Sequence, residues 1–353
     1  MHFGLNMECD YLQSKTELDA FSDVFAQADL AEAVGLNSVW LAERHFASSD
    51  RGQPSIASAP IILATAIAAR TRRLRVATGV YVLPLNHPIR IAEEVATLDY
   101  ISQGRFSLGV GRSGFTTAYE GYGYAYGESR ERLQECLDIL VQAWTQERFS
   151  YTGKYYQFHD VCVTPKPLQK PHPPIYMAAT TSESFPIAGH KGRHLVVGVR
   201  RNSIPGVKHS IGIYRQAWRE AGHFGQGDVT LRMPVYVGET HAQAIADPQA
   251  STLQYYRRLS DSLSRSVGRA GTIASEDRAR MAHELAHITY ETLLRDWVVY
   301  GTAAEVAERL HQLTSELDLS GVILELNAGG LLPNERVLNS LRLFGEGVAP
   351  QFR

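Results

Sequence analysis

Short apolar runs alternate with stretches of helical periodicity along the whole chain. The runs at 2–7, 38–42, 74–82, 105–110, 175–179, 194–199, 229–237 and 321–326 are rich in Val, Leu and Ile. They predict strands, and their continuous rather than alternating apolarity suits burial on both faces. Between them apolar residues recur at helical spacing over 18–34, 56–70, 89–102, 129–144, 204–221, 303–317 and 335–348. Eight strands each followed by a helix predict an α/β chain, and parallel strands need such crossovers, so a (β/α)8 TIM barrel fits. A doubly wound open sheet alternates in the same way, and periodicity alone leaves it open.

Two segments break the rhythm. Residues 147–174, after the fourth strand and its helix, hold aromatics and five prolines and read as an ordered surface excursion. Residues 241–300, after the seventh strand, are charged and helical with no strand-like run. They read as a lid or side bundle rather than a separate domain. The 353 residues then form one barrel domain, 1–353, with insertions, although the length also suits two ordinary domains.

Composition narrows the partners. There are 35 basic and 37 acidic side chains with no long block of one sign, so nucleic acid or an anionic membrane is not expected. No run approaches the roughly 20 apolar residues of a membrane span. The three cysteines, Cys9, Cys136 and Cys162, are too scattered for a disulfide framework, and a cytoplasmic location is expected.

Candidate chemistry clusters where strands end. After the fifth run come Thr180, Thr181, Ser182, Glu183 and Ser184, and then a helical pattern. Hydroxyls at a strand-to-helix turn, beside unpaired N–H groups, suit a phosphate; equally, one of them can simply cap the helix. Gly109-Val110-Gly111-Arg112-Ser113-Gly114 matches G-x-G-x-x-G after a strand. A dinucleotide fingerprint should open a helix, and 115–127, with four tyrosines and three glycines, has the composition of a loop. What remains is a tight turn that lets backbone approach a ligand, with Arg112 able to fork onto a phosphate. Glu43, Arg44 and His45 follow the second strand. In a barrel this is a catalytic position, and His45 can act as acid, base or donor; a structural rim cluster is the alternative. His283-Glu284-Leu285-Ala286-His287 matches H-E-x-x-H, so a zinc peptidase with Glu305 or Glu308 as third ligand is a rival reading.

Taken together, these segments resemble the bacterial luciferase-like flavin monooxygenases. The resemblance is carried by FGLNM, VGLNSVWLAERHF, ATGVYVLPLNHPIRIAEEVATLDYISQGRFSLGVGRSG, RFSYTGKYYQFHDVCVTPKPLQKPHPPIYMAATTSESF and VYGTAAEVAERL. They occur in the family's order, with the weakest match in 241–297. The resemblance implies FMN bound at the C-terminal ends of the strands. Arg112, with Ser113 in the same turn, and Thr180, Thr181 and Ser184 would hold its phosphate. Gly79–Val80 would form a cis peptide beneath the ring, and Gly111 stands where the luciferases carry a reactive cysteine. One departure is Arg44, which occupies the position of the first of two luciferase histidines, leaving only His45. Light emission is therefore not expected, and Arg44 can instead stabilise an anionic substrate or a peroxide.

The resulting expectation is a monooxygenase that takes reduced FMN from a separate flavin reductase and uses O2 on a small organic substrate. His45 manages protons, Glu43 positions it, no metal takes part, and the chain pairs as a homodimer. Rival readings are an F420-dependent oxidoreductase of the same fold, the zinc peptidase, and a non-catalytic flavin-binding protein.

Overall fold

The computed structural model describes residues 1–47, 53–199, 204–268 and 275–352. Eight parallel strands close on themselves: β1 (His2–Met7), β2 (Ser38–Leu41), β3 (Arg75–Thr78), β4 (Phe106–Gly111), β5 (Ile175–Ala178), β6 (His194–Gly198), β7 (Val229–Val237) and β8 (Gly321–Glu325). Each pairs with its neighbours in chain order, and β8 returns to β1 through Phe3 opposite Val322. The eight predicted runs are the eight barrel strands, and closure settles the barrel against the open sheet.

Outward-facing residues such as Leu5, Val39, Val76 and Leu108 pack against the surrounding helices in one continuous core. Inward positions follow the register. Asn6, Trp40 and Ala77 lie side by side, and Trp40 meets Tyr176 edge to face at 5.1 Å, filling the middle of the barrel. Two residues nearer the strand ends, the same face carries Ala42, Gly79, Gly111, Ala178 and Gly198. Side chains repeat every second residue, so this layer of small residues leaves the mouth of the barrel open.

Four local features depart from the sequence pattern. The run 74–82 is broken: β3 stops at Thr78, the Gly79–Val80 peptide is cis, and Tyr81–Val82 pairs with the end of β4. Within 115–127, a helix forms over Thr116–Tyr122. Its Tyr119 is wholly buried against Tyr126, and left-handed Gly123 ends it, so tertiary burial outweighs loop composition. Residues 147–174 carry an antiparallel hairpin, Phe149–Thr152 with Gln157–Val161. Residues 241–300 form helices over His241–Ala246, Gln249–Arg265, Ser275–Ala286 and Tyr290–Asp296, with 269–274 outside the described residues. Against the expectation of no strand there, Val299–Gly301 pairs with β7. These helices hold a small core of their own around Tyr256, Leu263, Leu285 and Leu293. Among the described residues no helix is long and apolar enough to cross a membrane.

Candidate active site

The open mouth is a cavity of about 330 Å³. Its floor is Gly79, Val80, Gly111, Ala178 and Gly198; its roof is Tyr255, Arg258, Leu259 and Leu263 from helix Gln249–Arg265, with Arg278 from the next helix. Small residues make the floor flat. A Cβ on Gly111 would lie 2.7 Å from Val80 Cγ2, closer than carbon atoms approach, so a side chain here would displace Val80 from the shelf.

One wall follows β4 and β5. Arg112, Ser113, Thr180, Thr181 and Ser184 all line the same cavity. Ser113 takes a positive φ of 60°, and two buried tyrosines pin the turn from behind: Tyr119 donates to the Arg112 carbonyl and Tyr126 to that of Ser113 at 3.1 Å. The Arg112 guanidinium has Ser129 Oγ at 3.4 Å and no carboxylate partner among the described residues. It is therefore a cation with donors to spare. In the second turn Ser184 closes a local ring, its N–H and its hydroxyl both donating to the Thr181 carbonyl, with 2.9 Å for the amide. The helix itself has no side-chain cap, so the capping reading is not realised; Ser184 braces the turn, while Thr180 and the Thr181 hydroxyl stay at the cavity wall. The helix that follows, Ser184–His190, has seven residues. So short a helix adds little dipole, and any grip on an anion must come from Arg112 and the hydroxyls.

The opposite wall belongs to β1, β2 and β7, and is built of ion pairs. Arg44 pairs with Asp10, which also accepts from Arg258 Nη2 at 3.1 Å. Burial pushes the Asp10 carboxyl above its ordinary value, although Arg44 and Arg258 pull it down. Arg232 pairs with Glu8 and, at 3.0 Å, with Glu325, and donates to the Gly79 carbonyl at 3.3 Å. Burial disfavours its charge, but Glu325 and Glu8 more than compensate and keep it cationic.

Glu43 and His45 stand behind the wall, outside the cavity lining. Glu43 accepts the Val82 N–H at 2.7 Å and meets His45 Nε2 at 2.7 Å. His45 Nδ1 lies 3.3 Å from the Tyr122 hydroxyl, the two rings 4.9 Å apart. Of the three residues expected to be catalytic, Arg44 alone faces the cavity; the other two tie β2 to the segment beyond Gly79–Val80.

The H-E-x-x-H segment spans the end of helix Ser275–Ala286, with His283, Glu284 and His287 exposed. The His283 and His287 rings lie 4.3 Å apart and tilted, and His287 bonds the His283 carbonyl. Glu305, the imagined third ligand, instead meets His241 Nδ1 at 2.9 Å and accepts the Thr302 N–H at 2.7 Å. Among the described residues no group of three His, Cys, Asp or Glu side chains is arranged to hold a metal ion.

Glu8, Asp10, Arg232, Arg258 and Glu325 were not picked out in the sequence. Three of them carried a usable signal, since Glu8 and Glu325 put charge at the ends of apolar strands and Arg232 interrupts the apolar run of β7, all on the inward face. Arg258 sits on a helix whose charges cannot be told from a solvated surface.

The model of the luciferase-like monooxygenases matches residues 1–318. The chain belongs to that family. Among relatives of this member, the oxygenase component of a flavin-dependent trigonelline monooxygenase from Acinetobacter baylyi is 25% identical over 314 residues, 88% of this chain and 85% of that one. An F420-dependent glucose-6-phosphate dehydrogenase from Kineococcus radiotolerans is 29% identical over 287 residues, 78% and 79% of the two chains. The crystal structure of monooxygenase RslO1 from Streptomyces bottropensis superposes with a TM-score of 0.82 at 25% identity, over 100% of both chains. The family and its flavin-dependent relatives make an oxygenating enzyme the fitting class for this cavity.

Proposed function

We propose that this luciferase-like chain is the oxygenase of a two-component system, using reduced FMN from a separate reductase and O2 to oxygenate a small organic substrate. The observation that carries the reading is that Arg112, Thr180, Thr181, the Gly79–Val80 shelf and Gly111 line a single cavity at the strand C-termini. Guanidinium and hydroxyl donors at one end suit a phosphate, and a floor without side chains suits a planar ring. Bound FMN supplies the electrons that activate O2.

The chain's own residues orient and shield. Arg112, Thr180 and Thr181 hold the phosphate, with Ser113 and Ser184 setting the shape of the two turns. Glu43 positions the shelf through Val82, His45 positions Glu43, and Tyr122, 48% exposed, gives the pair contact with solvent. Arg44 faces the reaction space and offers donors to an anion there. The roof helix keeps water from the ring, which prolongs the life of an activated oxygen species.

A homodimer is part of the proposal. Leu18, Phe21 and Ile62 are exposed near the N-terminal ends of the neighbouring helices Glu17–Ala33 and Pro60–Arg70, apolar surface that a second copy would cover. Free cysteines throughout suit the cytoplasm.

The F420 reading is retained because a relative of that dependence is as similar as the flavin-dependent ones. Rapid mixing of the protein and reduced FMN with oxygenated buffer tests the choice. Slowed reoxidation relative to free FMN, with substrate-dependent O2 incorporation, is the expected result. Turnover with reduced F420 and none with reduced FMN would overturn it.

A further inference from the structure

We propose that Arg44 and Arg258 form an anion subsite for the carboxylate of the substrate, on the side of the cavity away from Arg112; its role as a substrate site rests on the flavin reading above. In a closed eight-strand barrel β1 and β2 lie across from β5 and β6, so one small anion cannot span both ends. Arg112 and Thr181 take one; Arg44 and Arg258 face the other.

The pair is built for a planar oxoanion. Asp10, with 3% of its side chain exposed, sits behind and takes one nitrogen from each guanidinium. That anchor fixes two forks from different elements, the end of β2 and the roof helix, while both residues line the cavity. Arg258 Nη1 is buried with no partner, and an unpaired buried donor of this kind is costly unless a ligand fills it. Each guanidinium carries five N–H donors, and among the described residues Asp10 accepts from one nitrogen of each.

Donor geometry sets the orientation. Among the described residues Arg44, Arg232 and Arg258 are ion-paired with Glu8, Asp10 and Glu325. Two guanidinium groups share Asp10, and Arg232 pairs with Glu8 and Glu325. A carboxylate meets the two forks where Arg44 and Arg258 line the cavity, and directional donors rather than surplus charge hold it. Tyr255 and Leu259, on the face that carries Arg258, line the cavity and give the substrate's body an aromatic and aliphatic wall. The substrate class is a small monocarboxylate with an apolar body.

Calorimetric titration with benzoate against benzamide, and hexanoate against hexanamide, with and without saturating FMN, tests this. The carboxylate of at least one pair should bind ten-fold or more tightly than its amide in both states. Arg44→Met and Arg258→Met should each abolish that preference and leave FMN affinity within about two-fold. Arg258→Lys keeps the charge but not the fork, should retain only part of the preference, and serves where a Met variant fails to fold. Amides binding as well as acids, a preference that survives the substitutions, or FMN affinity falling with either Met variant would overturn the subsite. Failure to bind FMN at all would sink the flavin reading yet leave the carboxylate titration readable.

Discussion

Gly109 and Gly111 stand two residues apart on β4 and face the same side, yet their surroundings differ. A Cβ on Gly109 would fall 1.9 Å from the Thr78 carbonyl oxygen, and Thr78 Oγ1 bridges the two strands by accepting the Gly109 N–H and donating to its carbonyl. Gly109→Ala must therefore push β3 from β4, with an expected loss of about 3 kcal/mol or more in urea unfolding. At Gly111 the obstacle is a Val80 methyl, which can turn aside. Gly111→Ala should cost about 1–2 kcal/mol and weaken FMN binding, because the added methyl rises from the shelf. The reverse order of stabilities would contradict the packing described here. The G-x-G spacing drew attention to these glycines, but both belong to the strand, since β4 runs through Gly111, and the turn comes only at Ser113. Arg258 drew none, since its importance comes from Asp10, 248 residues away in sequence.

At the scale of elements, strands were read well because burial on both faces makes their apolarity continuous. The helix over Thr116–Tyr122 was missed because only tertiary burial of Tyr119 explains it. The joints between elements carry polar clamps. Glu32, near the end of helix Glu17–Ala33, accepts the backbone N–H groups of Arg72, Arg73 and Leu74 at 2.8, 2.6 and 3.0 Å, fastening that helix to the loop before β3. Desolvation raises its pKa, but those three bonds outweigh it and hold the carboxyl below its ordinary 4.5. A depressed folded pKa means stability that is full above the unfolded value and lost as pH falls through the folded one. Glu32→Gln should accordingly cost about 1 kcal/mol at pH 7, a modest figure because the site is partly solvated. Denaturation at several pH values should show the difference closing once the pH drops below the folded pKa. A gap independent of pH would mean that the charge is irrelevant.

For the whole molecule, the sequence told of a closed barrel with a helical insertion near the mouth. It could not show that this insertion roofs the cavity, because an amphipathic helix does not say what its inner face meets. The exposed apolar residues at the start of the first two helices lead to an assembly test: Leu18→Asp with Ile62→Asp should turn a sedimenting dimer into a monomer without loss of fold. A wild-type chain that sediments as a monomer at micromolar concentration would contradict the proposed pairing. The central claim, that two turns on β4 and β5 together grip one flavin phosphate, has a more direct test. Equilibrium titration should compare FMN with riboflavin, which lacks the phosphate, on the wild type and on Arg112→Ala. A charged fork and two hydroxyls should favour FMN by about 100-fold, equivalent to about 2.7 kcal/mol, and the substitution should remove at least ten-fold of that. Equal affinity for FMN and riboflavin in the wild type, or a preference untouched by Arg112→Ala, would contradict it.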